Sequence, residues 1–152
     1  MPDHRYETRL RWTGSTGLGW ESYERDHTAT APPAEQEIHL TTGEEKGNPA
    51  VLNPEQLVVM AASSCQMLFF LHLAAKARID VLAYEDEADG VMPAHDQPLR
   101  LTEITLRPRI TVAGHASEER VRKLVSTAHE YCYIANSLKS EMKIEATIQV
   151  RA

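Results

Sequence analysis

Between Asn53 and Ala77 the chain reads NPEQLVVMAASSCQMLFFLHLAAKA, apolar around nearly the whole circumference of a helix and without a formal charge for twenty residues, Gln56 to Ala75. Asn53 is placed to cap this helix, Pro54 takes the first helical position, where a missing N–H costs nothing, and Gln56 completes a capping box. The pattern predicts a helix to about Ala77. After Gly114 the spacing becomes helical again, with Ser117 capping SEERVRKLVSTAHEYC and Val121, Leu124, Val125 and Ala128 on one face. This second helix closes near Cys132, and Ile134 to Leu138 forms a further turn or short helix. Elsewhere the rhythm is that of strands. RYETRLRWTG and GLGWESYER read as a hairpin turning through Thr13 to Gly17. The polar connection from Asp26 to Asn53, with Pro32, Pro33 and Pro49, holds at most a short strand around Glu37 to Thr41. VLAYEDEADGV reads as a strand. LRLTEITLRPRITVAG reads as one long strand in which Ile104, Leu106, Ile110 and Val112 alternate and Pro108 marks an edge or a bulge. KIEATIQV alternates at Ile144, Ala146, Ile148 and Val150 as a final half-buried strand. The expected fold class is α+β in a single domain over residues 1–152: an N-terminal β unit, a long buried central helix, further strands and C-terminal helices.

Composition narrows the partners. With 152 residues, 42% of them hydrophobic, the chain can bury a core without disulfides or metals. A net charge of −6 and a pI of about 5.6 leave no cationic surface to attract nucleic acid or an anionic membrane, so a small molecule or a protein is the expected partner. The N-terminal MPDHRYETRL lacks the basic start and apolar core of a signal peptide, which points to the cytoplasm. Cys65 and Cys132, 67 positions apart, are too few for a disulfide scaffold and do not form a four-ligand zinc pattern. No metal and no cofactor are expected. His129 lies one helical turn before Cys132, but no third ligand is spaced with it, and His72 reads as a core histidine.

Twenty uncharged residues are about what a bilayer core requires. Ser63, Ser64, Gln66 and His72 interrupt them, however, basic residues lie only on their C-terminal side, and the surroundings pattern as a soluble domain. A helix of about 24 residues spans about 36 Å, more than one subunit of this size can cover on every side. A second copy resolves this. The small residues Ala61, Ala62, Ser63 and Ser64 would admit another helix, so a helix-mediated homodimer is expected rather than a membrane span.

Cys65 sits about three turns into its helix, beyond the reach of the helix dipole, and needs a cation from elsewhere to become a thiolate. Glu55, in the first turn, is a carboxylate that could hold such a cation. Ten residues along a helix is a rise of about 15 Å, so Glu55 cannot share a compact site with Cys65 of its own helix. Two copies crossing antiparallel near Met60 and Ala61 would bring Glu55 of each toward Cys65 of the other.

NPEQL followed by AASSC, then HLAAKARIDVLAYEDEADGVM and AHEYCYIANSL, resembles the OsmC/Ohr family of thiol-dependent organic hydroperoxide reductases, over nearly the whole chain. The resemblance implies an OsmC-like fold in an intertwined α+β homodimer, with sites at the subunit interface. Each site would use two cysteines and an arginine paired with a glutamate. On this sequence the resemblance assigns Cys65 as peroxidatic cysteine, Cys132 as resolving cysteine and Glu55 as the carboxylate. It places the arginine at Arg25 in YERDH, with Arg5, Arg9, Arg11 and Arg78 as the other arginines near the candidate strands and helix. It further implies an organic hydroperoxide as substrate and an external dithiol or dihydrolipoyl protein as reductant. Tyr133 follows Cys132 where well-known members carry proline, which marks a divergent branch. A non-catalytic ligand-binding or stress-response dimer of the same fold, and a cysteine hydrolase using His129 or His72 as base, are the rival readings.

Overall fold

A computed structural model describes residues Met1–Ala152, and its contacts divide the chain into two compact units, Met1–Leu57 and Val58–Ala152. The first unit is built on an antiparallel three-stranded sheet in the order β1 (Arg9–Arg11), β2 (His27–Thr30), β3 (Glu37–Leu40). The partner of the first strand is therefore not GLGWESYER, as its aromatic and glycine content predicts, but the short polar segment HTAT, with Arg9 opposite Thr30 and Arg11 opposite Thr28. Residues 12–26 form a loop instead. Gly19 closes a turn, its N–H donating to the Thr16 carbonyl at 3.0 Å, and adopts φ +96°, a left-handed conformation that glycine enters without steric cost. The Trp12 indole N–H donates to the Glu24 carbonyl at 2.8 Å, tying the two ends of the loop together. The polar connection is thus half ordered into the β2–β3 hairpin, of which only β3 is legible in the sequence.

Leu40 and Leu52 form an isolated parallel bridge, and the Thr41 N–H donates to the Leu52 carbonyl at 2.9 Å. Next to this bridge the capping box forms as expected. The Gln56 N–H donates to Asn53 Oδ1 at 2.8 Å and the Asn53 N–H to Gln56 Oε1 at 3.0 Å, starting helix α1 (Pro54–Lys76).

The second unit holds the rest of α1, strands β4 (Val81–Asp86), β5 (Asp89–Val91), β6 (Glu103–Leu106) and β7 (Pro108–Ala113), helices α2 (Glu118–Tyr131) and α3 (Tyr133–Ser137), and strands β8 (Glu141–Ile144) and β9 (Thr147–Arg151). They make two three-stranded sheets, β4-β7-β9 and β5-β6-β8. Each of the three long strand patterns is divided between these sheets. Asp89 opens a new strand after β4, Pro108 opens β7, and Glu145 and Ala146 separate β8 from β9. Proline at the first position of a strand removes no ladder bond from its interior. The parallel pairs β6–β8 and β7–β9 share one register: Ile104 faces Met142, Leu106 faces Ile144, Ile110 faces Ile148 and Val112 faces Val150, each 38 residues apart. The Glu145 N–H donates to the Leu106 carbonyl at 2.9 Å, and Arg107 and Glu145 pair at 3.5 Å, so the offset is kept across the break. The two segments form one parallel ribbon, bent where it passes from one sheet to the other. The crossover between its strands runs through α2, capped by Ser117 Oγ accepting from the Arg120 N–H at 3.2 Å, and α3.

The core of this unit lies in two clusters. Phe70, Ala74, Ile79, Ile110, Val112, Val121, Val125 and Ala128 form the larger, and Ala62, Ile104 and Leu106 the smaller, with Ile144 packed against both. Along α1 the buried positions are Ala62, Gln66, Phe70 and Ala74, a row at i, i+4, i+8 and i+12. Only 22% of the most apolar window of α1 is buried within the chain. The helix has the length and composition to cross a membrane, yet inside this chain it is the axis of a core.

Candidate functional site

The α1 row that packs into the core includes Gln66, which is 1% exposed and donates through Nε2 to the Val125 carbonyl at 3.0 Å, fastening α1 to α2. Cys65 precedes it at the edge of the row and is half-buried. Cys132 is 1% exposed and stands where the chain changes direction, as C-cap of α2 and N-cap of α3. Its N–H donates to the His129 carbonyl at 3.3 Å, and its sulfur accepts from the Ala135 N–H at 3.5 Å. Both thiols are free, and Cys65 lies close enough to Cys132 to influence its ionisation. The Cys132 thiol is pushed up to about 11, chiefly by burial, and further by hydrogen bonding with Cys65 and by the charge that Cys65 carries when ionised; the N–H groups of Ala135 and Ile134 oppose the shift. Phe69, one turn beyond Cys65, meets Tyr133, next to Cys132, edge to face at 4.8 Å between ring centroids, so an aromatic pair joins the two elements that carry the sulfurs.

Arg25 and Glu55 lie in the first unit, and the structure brings them to one pocket. Its volume is about 370 Å³, and Trp12, Tyr23, Thr41 and Pro54 line it with them. No ion pair joins the two. The Arg25 guanidinium donates to the carbonyls of Trp20 and Tyr23 and stacks on the Tyr23 ring at 3.7 Å from its centroid, a position set by the loop that replaces the expected second strand. Glu55 Oε2 is buried without a hydrogen-bond partner. A buried carboxylate oxygen in that state is costly and calls for a donor or a cation. The backbone leaves it little room: a methyl group on Gly43 would come within 3.0 Å of that oxygen. The aromatic wall of Trp12 and Tyr23, packed edge to face at 6.2 Å, was not singled out from the sequence, where both residues sit in apparent strands.

Of the histidines, His27 lines the pocket of Arg25 and Glu55, its Nδ1 lying 2.7 Å from the Arg25 carbonyl oxygen. His129 turns its ring into a separate cavity of about 300 Å³ lined by Arg122, Ser126, Met142 and Ile144, and its Nδ1 has no partner. No group of three His, Cys, Asp or Glu side chains is arranged to hold a metal ion. The other pocket along α1, about 360 Å³, is lined by Met60, Ser63, Ser64, Met67, Tyr84 and Asp86. Ser63 donates to Asp86 there at 2.5 Å, and the Arg107 N–H donates to the same carboxylate at 2.6 Å. These bonds hold α1 to the point where the ribbon bends.

Solved structures reproduce this fold along the whole chain. An OsmC-like protein of unknown function from Vibrio cholerae matches with a TM-score of 0.84 and 28% identity, covering 95% of this chain and 100% of its own. An organic hydroperoxide resistance protein from Elizabethkingia anophelis matches at 0.72 with 17% identity, over 99% of both chains. The organic hydroperoxide resistance protein OhrB of Bacillus subtilis matches at 0.63 with 16% identity, over 96% and 98%. No curated protein matches the sequence. Residues 46–147, which carry α1, both cysteines and the bent ribbon as far as the start of β9, match the family model for OsmC-like protein, and the chain belongs to that family.

Proposed function

We propose that the chain is a thiol-dependent peroxidase that reduces organic hydroperoxides to alcohols, acting as a homodimer. The proximity of two free thiols, Cys65 on α1 and Cys132 at a helix junction, on elements joined by the Phe69–Tyr133 pair, is the observation that carries this reading. The Cys65 thiolate attacks the outer peroxide oxygen, the O–O bond breaks, Cys65 becomes a sulfenic acid, and the departing alkoxide takes up the proton that the thiol had released, leaving as the alcohol. Cys132 then attacks that sulfur, a disulfide forms and water departs. An external dithiol, a small one or a dihydrolipoyl protein, supplies two electrons and two protons to restore both thiols.

The surroundings of Cys132 bear on the second step. While Cys65 can carry a charge, that charge and its hydrogen bond help keep Cys132 protonated. Conversion of Cys65 to the neutral sulfenic acid removes the charge influence, while burial continues to hold the Cys132 proton. In this proposal Arg25 turns from the Trp20 and Tyr23 carbonyls to the unpartnered Glu55 carboxylate, and the pair serves the Cys65 of the other subunit, as the rise of about 15 Å along ten helical residues requires. The exposed apolar face of α1, with Met60 at 49% and Leu68 at 59% exposure, supports a second copy as its cover. Two free thiols suit a reducing compartment, the cytoplasm.

The test is consumption of an alkyl hydroperoxide with dithiothreitol as reductant. Wild type turns over; Cys65→Ser abolishes turnover; Cys132→Ser accumulates a sulfenic acid that dimedone traps. Absence of turnover in the wild-type protein would overturn the reading in favour of a ligand-binding dimer of the same fold.

A further inference from the structure

The carbonyls at the C-terminal end of a helix lack intrahelical donors and must find others. At the end of α2 one side chain supplies them. Asn136 Nδ2 donates to the Glu130 carbonyl at 2.9 Å and to the Cys132 carbonyl at 2.9 Å, while its backbone N–H donates to the Cys132 carbonyl at 3.0 Å. Both protons of the amide are used on carbonyl oxygens, so only this orientation of the amide satisfies the site. The residue bridges the last turn of α2 to the first turn of α3 and clasps the peptide on which Cys132 sits from both directions.

We propose that Asn136 is a positioning residue for Cys132, holding the α2–α3 junction so that the Cys132 sulfur stays against Cys65. The inference rests on the two-cysteine reading above but concerns disulfide closure rather than peroxide chemistry. With the junction clasped, the sulfur has little freedom beyond its own χ1 rotation, and the thiol is presented to its partner at high effective concentration. Loss of the clasp frees the dithiol form. The disulfide form is held by its covalent bond and gains less freedom, so the equilibrium moves toward the dithiol. A carboxylate at 136 has no donor for either carbonyl, and a serine hydroxyl has one proton for two acceptors. Neither can replace the amide.

The experiment equilibrates the full chain in glutathione redox buffers and counts the Cys65–Cys132 disulfide by alkylation and intact mass. In this buffer glutathione disulfide first exchanges with Cys65, releasing one glutathione. Cys132 then attacks the Cys65 sulfur, the bond to the second glutathione breaks, and that thiolate takes up the proton Cys132 gave up. Two electrons pass from the two cysteines to glutathione disulfide. For Asn136→Ala the expected result is a shift of about tenfold toward the dithiol, about 30 mV. A merely structural contribution, equal in both redox states, leaves the potential unmoved. If the alanine variant does not fold, Asn136→Ser decides by the same titration: a shift of at least threefold supports the proposal. Titrations that coincide with wild type overturn it, as does a wild-type chain that forms no such disulfide in any buffer. Failure of the peroxidase reading is distinguishable, because a chain that consumes no hydroperoxide yet shows the shift in Asn136→Ala refutes the peroxidase and keeps the clasp.

Discussion

At the scale of single residues the chemistry divides into two pairs, and each is defined by what burial does to it. Cys132 is an acid whose proton is held more tightly in the folded chain than in the unfolded one, its ordinary value of 9.0 being raised to about 11. The stability that follows is fully present below the ordinary value and is lost as the pH rises through the folded value. Reduced wild-type protein should therefore lose melting temperature between pH 9 and about 11, and Cys132→Ser should remove that part of the decline; identical pH profiles for the two would contradict the assignment. Glu55 shows the opposite kind of cost, a carboxylate oxygen left without a partner in a pocket that contains an arginine occupied elsewhere. Cys65 could be singled out in the sequence because a thiol in a charge-free helix is conspicuous, whereas Cys132, at the end of a charged helix, was assigned through the family resemblance. The posture of Arg25 could not, since it depends on two carbonyls of a loop that reads as a strand.

At the scale of elements, features encoded by a few adjacent residues were legible and those encoded by distant partners were not. The N-terminus of α1 is an example of the first kind: Asn53, Pro54 and Gln56 specify it within four positions, and both bonds of the capping box form. Asn53→Ala removes one of them and should cost about 1 kcal/mol, read as a lowered midpoint of urea denaturation with an unchanged slope. The break at Glu145 and Ala146 is an example of the second kind. Apolar alternation runs through Ile144, Ala146, Ile148 and Val150 without a sign of interruption, because the ribbon keeps its facing pattern while it changes sheets. Pro108 is the one visible mark of that change, and as the first residue of a strand it is read equally well as a bulge. The hairpin partner of β1 was missed for a related reason. HTAT has no apolar alternation, and its β structure comes from pairing with strands on both sides.

At the scale of the whole molecule the composition of α1 sets the problem. The core of the second unit takes one row of its side chains, and the opposite side presents Met60, Ser64 and Leu68 to solvent in a single chain. Covering that face with a second copy removes apolar surface that would otherwise promote association of a less ordered kind. Leu68→Glu should convert the proposed dimer to a monomer, seen as a halved mass in sedimentation velocity at micromolar concentration, with the far-ultraviolet spectrum retained. A wild-type chain already monomeric under those conditions would remove the proposed trans arrangement.

The constant offset of 38 residues along the bent ribbon also governs how the second unit can breathe. A parallel pair cannot slip in one sheet and stay in register in the other when a single unbroken facing pattern serves both. Opening of β8 is thereby coupled to opening of β9, although they belong to different sheets. In hydrogen exchange, the inward-facing amides of Lys143 and Gln149 should become accessible in one cooperative event with a shared free energy. An inserted residue between Ile144 and Thr147 would uncouple them, letting each sheet fluctuate by itself while leaving every strand in place.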